Sequence, residues 1–164
     1  MAYKFGTKSL SKLEGVHPDL VEIMKLAISK SSIDFGISQG VRTKAHQAKL
    51  VAAKASTTMN SKHLPQASDG LSHAVDIFCI IDGRVSWELP CYWKAGDAIL
   101  EAMRELGTIP LRWGNCWHIY NLLHSDHKTK SCEDLSTEYI DLRRNAQPPR
   151  TPFIDSPHWE VGKK

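Results

Sequence analysis

The sequence predicts a mixed α+β fold: a small antiparallel sheet flanked by helices, in a single domain. Three observations carry this. Helical and extended patterns follow one another as α-β-α-β-β-α-β, then a weakly patterned stretch, then a last strand. The two central strands are joined by Asp82-Gly83, a hairpin turn pair, which argues against a doubly wound parallel sheet. The chain has 164 residues, 41% hydrophobic and 24% charged, which suits one soluble globular domain with its own core.

Each element has its own signal. In "GVHPDLVEIMKLAISKSS", Pro18 suits a first helical turn and Asp19 and Glu22 favour its positive end. Leu20, Met24 and Ala27 recur there at helical spacing. "IDFGISQG" alternates through Phe35 and Ile37 and reads as a strand. "RTKAHQAKLVAAKAS" is rich in Ala and Lys, with Thr43 placed to cap a second helix. "HAVDIFCIIDGRVSW" reads as two strands around the turn. In "CYWKAGDAILEAMRELG", Ala95, Ile99, Ala102, Met103 and Leu106 share a face, and Gly107 can end the helix. "IPLRWG" is a short strand. From Asn115 to Pro157 the pattern weakens, with room for one or two short helices and a proline-rich loop, "NAQPPRTP". "SPHWEV" is extended again.

Composition excludes several classes. No apolar run approaches the roughly 18 residues that span a bilayer, and "MAYKFGTKSLSK" lacks the apolar core of a secretory signal. Synthesis in the cytoplasm is therefore expected. Cys79, Cys91, Cys116 and Cys132 form no CxxC pair, so they read as buried thiols rather than a zinc ribbon. A net charge of +3 with scattered lysines does not indicate nucleic-acid binding.

Eight histidines draw attention to metal chemistry. A hydrolytic zinc site needs about three His or carboxylate ligands, a position for water, and a nearby carboxylate to move the proton. Asp76 begins a strand and points away from Val75 and Ile77. In "DSPHWE", His158 and Glu160 share one face of another strand, with Asp155 just before it. One sheet can thus present Asp76 beside His158, with Asp155 close by and His63 arriving from a loop. On spacing alone, a solvated loop histidine and a turn-forming aspartate remain open readings.

The ordered motifs "NSKH", "HAVDIF" and "DSPHWE" resemble the zinc peptidases that include D-Ala-D-Ala carboxypeptidases and phage L-alanyl-D-glutamate endopeptidases. "SLSKLEGVHPDLVEIMKLAISKSSIDFGISQGVRT", "KLVAAKASTTMNSKH" and "LRWGNCW" extend the similarity to nearly the whole chain, outside an inserted segment at about 118–152. The resemblance implies a hedgehog/DD-peptidase-like domain over 1–164 without a separate wall-binding domain. It implies Zn2+ held by His63, Asp76 and His158, with Asp155 as general base and acid. Arg42 would steady the substrate or the developing oxyanion. Ser61 would contact the substrate or a ligand, and Glu160 would support the site. The implied protein is a monomeric phage endolysin cutting the L-Ala-D-Glu bond of peptidoglycan stem peptides. It would reach the wall once a separate protein permeabilises the membrane; the lack of a wall-binding domain fits a Gram-negative host. A D-Ala-D-Ala carboxypeptidase and a non-catalytic zinc domain are the alternatives.

One departure leaves two registers. Six extra residues lie between the first histidine and Asp76, in "LPQASDGLSHAV". Either His63 is the ligand and the extra residues bulge outward, or His73 replaces it. Alternation favours His63, because His73 and Asp76 are three apart on an extended chain and face opposite ways. His118, His124 and His127 read as histidines of the inserted segment. Trp113, Trp117 and Trp159 read as core or cleft wall.

Overall fold

The computed structural model describes residues 2–164. Five helices and five strands follow the chain: α1 (Thr7–Lys12), α2 (Pro18–Lys30), β1 (Asp34–Gln39), α3 (Lys44–Ala52), β2 (Ala74–Ile81), β3 (Arg84–Ser86), α4 (Leu89–Leu106), β4 (Leu111–Gly114), α5 (Cys132–Arg144) and β5 (Asp155–Val161). The sheet runs β1-β2-β5-β4, with β3 continuing the hairpin from β2, and every pairing is antiparallel. This is the α+β architecture read from the sequence.

One face of the sheet makes the core. Val75, Ile77 and Cys79 of β2, Phe35 and Ile37 of β1, Leu111 and Trp113 of β4 and Trp159 of β5 are all buried. They pack with Leu20, Ile23, Met24 and Ala27 of α2 and Ala95, Ile99, Ala102 and Met103 of α4. Trp113 and Trp159 stack across the β4–β5 pair, with centroids 5.3 Å apart and planes 15° apart. The period-two alternation sends Ala74, Asp76 and Phe78 to the opposite face.

The hairpin forms as expected, with Asp82 and Gly83 both at positive φ, the requirement of a two-residue primed turn. Other elements differ from the sequence reading. α1 was not anticipated, because only Ser9 of its six residues is buried and it shows no apolar stripe. It is docked by a hydrogen bond, the Ile37 N–H donating to Ser9 Oγ at 3.0 Å. α3 stops at Ala52 rather than continuing to Ser56. Lys54 turns left-handed (φ 58°), and the amides of Ala55 and Ser56 fold back onto the Leu50 carbonyl. α4 begins at Leu89, with Pro90 in its first turn.

The segment after β4 holds a 3-10 turn at Ser125–His127 and one helix of 13 residues, α5. Ser131 and Asp134 close a reciprocal capping box at its start. Cys132, Leu135 and Tyr139 turn inward and join the same core. Residues of the span 118–152 therefore complete the hydrophobic interior rather than ride on it. Replacing Leu135 by Ala should cost about 2–5 kcal/mol in urea unfolding, the range for a large-to-small change at a filled site. A loss below about 0.5 kcal/mol would place α5 outside the core.

Candidate metal centre

The site begins with strand register. β2 and β5 pair so that Asp76 lies directly opposite His158 and Ala74 opposite Glu160. All four point to the face away from the core. His158 Nδ1 sits 3.1 Å from Asp76 Oδ1. The third residue arrives from the loop before β2: His63 Nε2 is 3.1 Å from the same carboxylate oxygen. The His63 and His158 rings meet edge to face, centroids 5.1 Å apart. His63, Asp76 and His158 thus offer three ligand atoms within 4.8 Å of one another, a set suited to a catalytic zinc ion.

The far side of each ring fits that reading. His63 Nδ1 is 2.8 Å from the Gly40 carbonyl, and His158 Nε2 is 3.0 Å from Glu160 Oε1. A ligating imidazole must donate its other N–H to an acceptor, which sets the tautomer and raises ligand basicity. Both histidines have such an acceptor, one a carbonyl and one a buried carboxylate. Glu160 is only 7% exposed, so a solvated role for it is excluded.

His73 is elsewhere. Its Nε2 pairs with Asp69 Oδ2 at 2.8 Å, outside the group formed by Asp76. The structure therefore brings His63, not His73, to the aspartate. "PQASDG" bulges as a turn in which the Gln66 carbonyl accepts from the Gly70 amide at 2.7 Å. Among the described residues, His118, His124 and His127 form no ligand group; His118 stacks on Tyr139.

Around the centre lies a cleft of about 730 Å³ lined by Arg42, Ser61, His63, Asp76, Arg112, Trp117, Phe153, Asp155, His158 and Glu160, among others. Arg42 points a guanidinium nitrogen to within 3.9 Å of Asp76 Oδ2. It is braced by Gln39 and Gln47 and lies 3.5 Å from Ser61 Oγ. Ser61 Oγ also accepts the His63 amide, at 3.2 Å. Asp155 stands where β4 meets β5, opposite Gly114. A Cβ on Gly114 would overlap the Asp155 carbonyl, so only glycine permits this approach.

The charges are strongly coupled. Burial pushes the Asp76 carboxyl up, but hydrogen bonds from His158 and His63 outweigh it and hold the group well below the usual carboxylate range. Burial disfavours protonated His158, yet Asp76 and Glu160 raise it to about 9. Asp155 is pushed up, first by burial and then by the negative charge of Asp76, against the pull of His158, His63 and Arg42. A carboxyl raised toward neutrality is the kind that can both take and return a proton.

Sequence reading missed several contributors. Gln47 is fully buried and fastens the Arg42 guanidinium to the loop at Ser56 and Thr58. A polar residue inside an Ala- and Lys-rich helix gives no apolar signal to mark its burial. Gly40 contributes only a carbonyl. Phe153 stacks on Trp117 at the cleft wall and lies in a proline-rich loop with no periodicity.

These couplings give a signed pH dependence. In metal-free protein, the His158 contribution to stability is complete below the ordinary imidazole pKa of about 6.5 and is lost as pH rises through about 9. The Asp76 contribution has the opposite sign, complete above the ordinary carboxylate value and lost in acid. The Tm of chelator-treated protein should fall between about pH 6.5 and 9, while saturating zinc reverses the trend because zinc and the proton compete for His158. A metal-free Tm flat across that range would contradict the coupling.

The chain is similar to known peptidases. The family model of the phage L-alanyl-D-glutamate peptidases matches residues 1–142. The L-alanyl-D-glutamate peptidase of Escherichia phage T5 is 33% identical over 144 residues, covering 85% of this chain and all of that protein. The crystal structure of the Serratia marcescens L-Ala D-Glu endopeptidase ChiX superposes with a TM-score of 0.67 at 31% identity, covering 98% of this chain and 90% of that one. With its centre built from the same sheet that carries this fold, the chain belongs to the phage L-alanyl-D-glutamate peptidase family.

Proposed function

We propose that the protein is a zinc peptidase of the endolysin type that hydrolyses the L-Ala-D-Glu bond of peptidoglycan stem peptides. The observation that carries this is the convergence of His63, Asp76 and His158 in a cleft that also holds Asp155 and Arg42. Bound by the first three, zinc supplies Lewis acidity for the scissile carbonyl and lowers the pKa of water. Asp155 takes the proton of the attacking water and returns it to the leaving amine. Arg42 offers planar, permanently charged donors to the oxyanion, held in position by Gln39 and Gln47. Glu160 and the Gly40 carbonyl fix the two imidazoles. Ser61 orders the His63 amide and borders the substrate path.

The same reading has the enzyme accumulate in the host cytoplasm as a monomer that binds no nucleic acid and act on the wall after a separate protein permeabilises the membrane. It is supported by the family relationship, and no described helix is long and apolar enough to cross a membrane.

Two measurements test the proposal. Asp155→Asn should lower the rate of wall lysis by about 10²- to 10⁴-fold, the usual share of a general acid–base group, while zinc content stays at the wild-type level. Unchanged lysis would remove Asp155 from the chemistry. Mass spectrometry of digested peptidoglycan should find new N-terminal D-Glu. Free D-Ala instead would make the enzyme a carboxypeptidase.

A further inference from the structure

We propose a second zinc site, formed by His17, Asp69 and His73, on the loop that separates His63 from Asp76. Each of these residues offers a ligand atom within 4.8 Å of the other two. The His17 and His73 rings meet edge to face, centroids 5.2 Å apart, as the two rings of the catalytic centre do. Asp69 Oδ2 lies 2.8 Å from His73 Nε2, and Asp69 Oδ1 is occupied by the Leu71 N–H at 3.0 Å, so Oδ2 is the oxygen available to a cation. Two imidazoles and a carboxylate suit zinc, with a water completing the tetrahedron.

The backbone holds these groups in place. The His17 amide donates to the Ser72 carbonyl and the Ser72 amide to the Gly15 carbonyl, both at 2.9 Å. The His73 amide donates to the Lys62 carbonyl and the Val161 amide to the His73 carbonyl, both at 2.8 Å. The start of α2, the loop, β5 and the residue before His63 therefore meet at this point. Zinc here ties the loop to α2 and stiffens the segment that delivers His63.

Ring chemistry ranks the two sites. In the catalytic centre both histidines meet an acceptor on the far nitrogen. His17 Nδ1 instead accepts the Asp19 N–H, at 3.2 Å, and caps α2. Ligation through Nε2 requires the proton on Nδ1, so this cap must be released. An ordinary cap is worth about a factor of five in an equilibrium constant. The second site is therefore weaker than the first by at least about that factor.

The test is zinc titration of the chelator-stripped full chain by calorimetry, with stoichiometry from native mass spectrometry. Wild type should bind two equivalents, the second about fivefold or more weaker and the first to leave on dialysis. His17→Asn keeps a side chain able to cap the helix but removes the imidazole; Asp69→Asn keeps an acceptor for the Leu71 amide. Each should retain only the tight equivalent, with circular dichroism unchanged. Asp76→Asn should retain only the weak one, so failure at the catalytic centre is read separately. A single equivalent in wild type, or two that persist in both His17→Asn and Asp69→Asn, would overturn the site and leave a His73–Asp69 ion pair only.

Discussion

The pairing of Asp76 with His158 across β2 and β5 is the contact on which the rest of the site depends. Because side chains alternate along a strand, a slip of one residue would send every group on β5 to the other face. Trp159 would enter the cleft, and His158 and Glu160 would enter the core. Trp159 is completely buried and stacked on Trp113, so the slip would give up one of the largest apolar side chains in the interior. It would also place an ion pair in apolar surroundings, a desolvation penalty of about several kcal/mol per ion. Core packing on one face thus sets the register that builds the metal centre on the other.

The centre concentrates negative charge. Asp76 and Glu160 both hydrogen-bond His158, Asp76 also meets His63, and the Arg42 guanidinium stands 3.9 Å from Asp76. In metal-free protein burial disfavours the His158 imidazolium, but the hydrogen bonds to Asp76 and Glu160 outweigh it and raise its pKa to about 9. A divalent cation held by His63, Asp76 and His158 would compete with the proton for that imidazole. Asp155 is raised first by its burial in the same cleft, with the charge of Asp76 adding to that and His158, His63 and Arg42 opposing it.

Much of this was legible in the sequence, for identifiable reasons. α2, α4 and the β2–β3 hairpin carry clear periodic signals and strong terminators, and all three form, α4 starting earlier, at Leu89, than its apolar pattern showed. Alternation placed Asp76 on the face away from Val75 and Ile77, and His158 and Glu160 together, as the structure has them. The resemblance offered His63 as a ligand, and strand alternation favoured it over His73. What stayed illegible lacks a period. α1 is too short to show one. Gln47 is a polar residue buried for its hydrogen bonds, and Gly40 acts through its backbone. The Ser131–Asp134 capping box is a sequence signal for α5 that the weak surrounding pattern obscured.

Asp155, the proposed proton carrier, is positioned by different contacts from the three candidate ligands. Asp76 and His158 are set by the β2–β5 ladder, whereas Asp155 is set by β4, where the register shifts between Trp113 and Gly114. Trp113 Nε1 donates to the Ser156 carbonyl at 2.9 Å, and Ser156 Oγ donates to Asn115 Oδ1 at 3.0 Å. With Gly114 allowing the strands to close, these bonds bend the start of β5 out of the regular ladder. A strictly alternating strand would put residue 155 on the opposite face from His158 and Glu160. The irregularity is what lets Asp155 share their cleft. Metal geometry and base position can therefore vary separately, and altering the end of β4 should disturb proton transfer while leaving the ligand set intact.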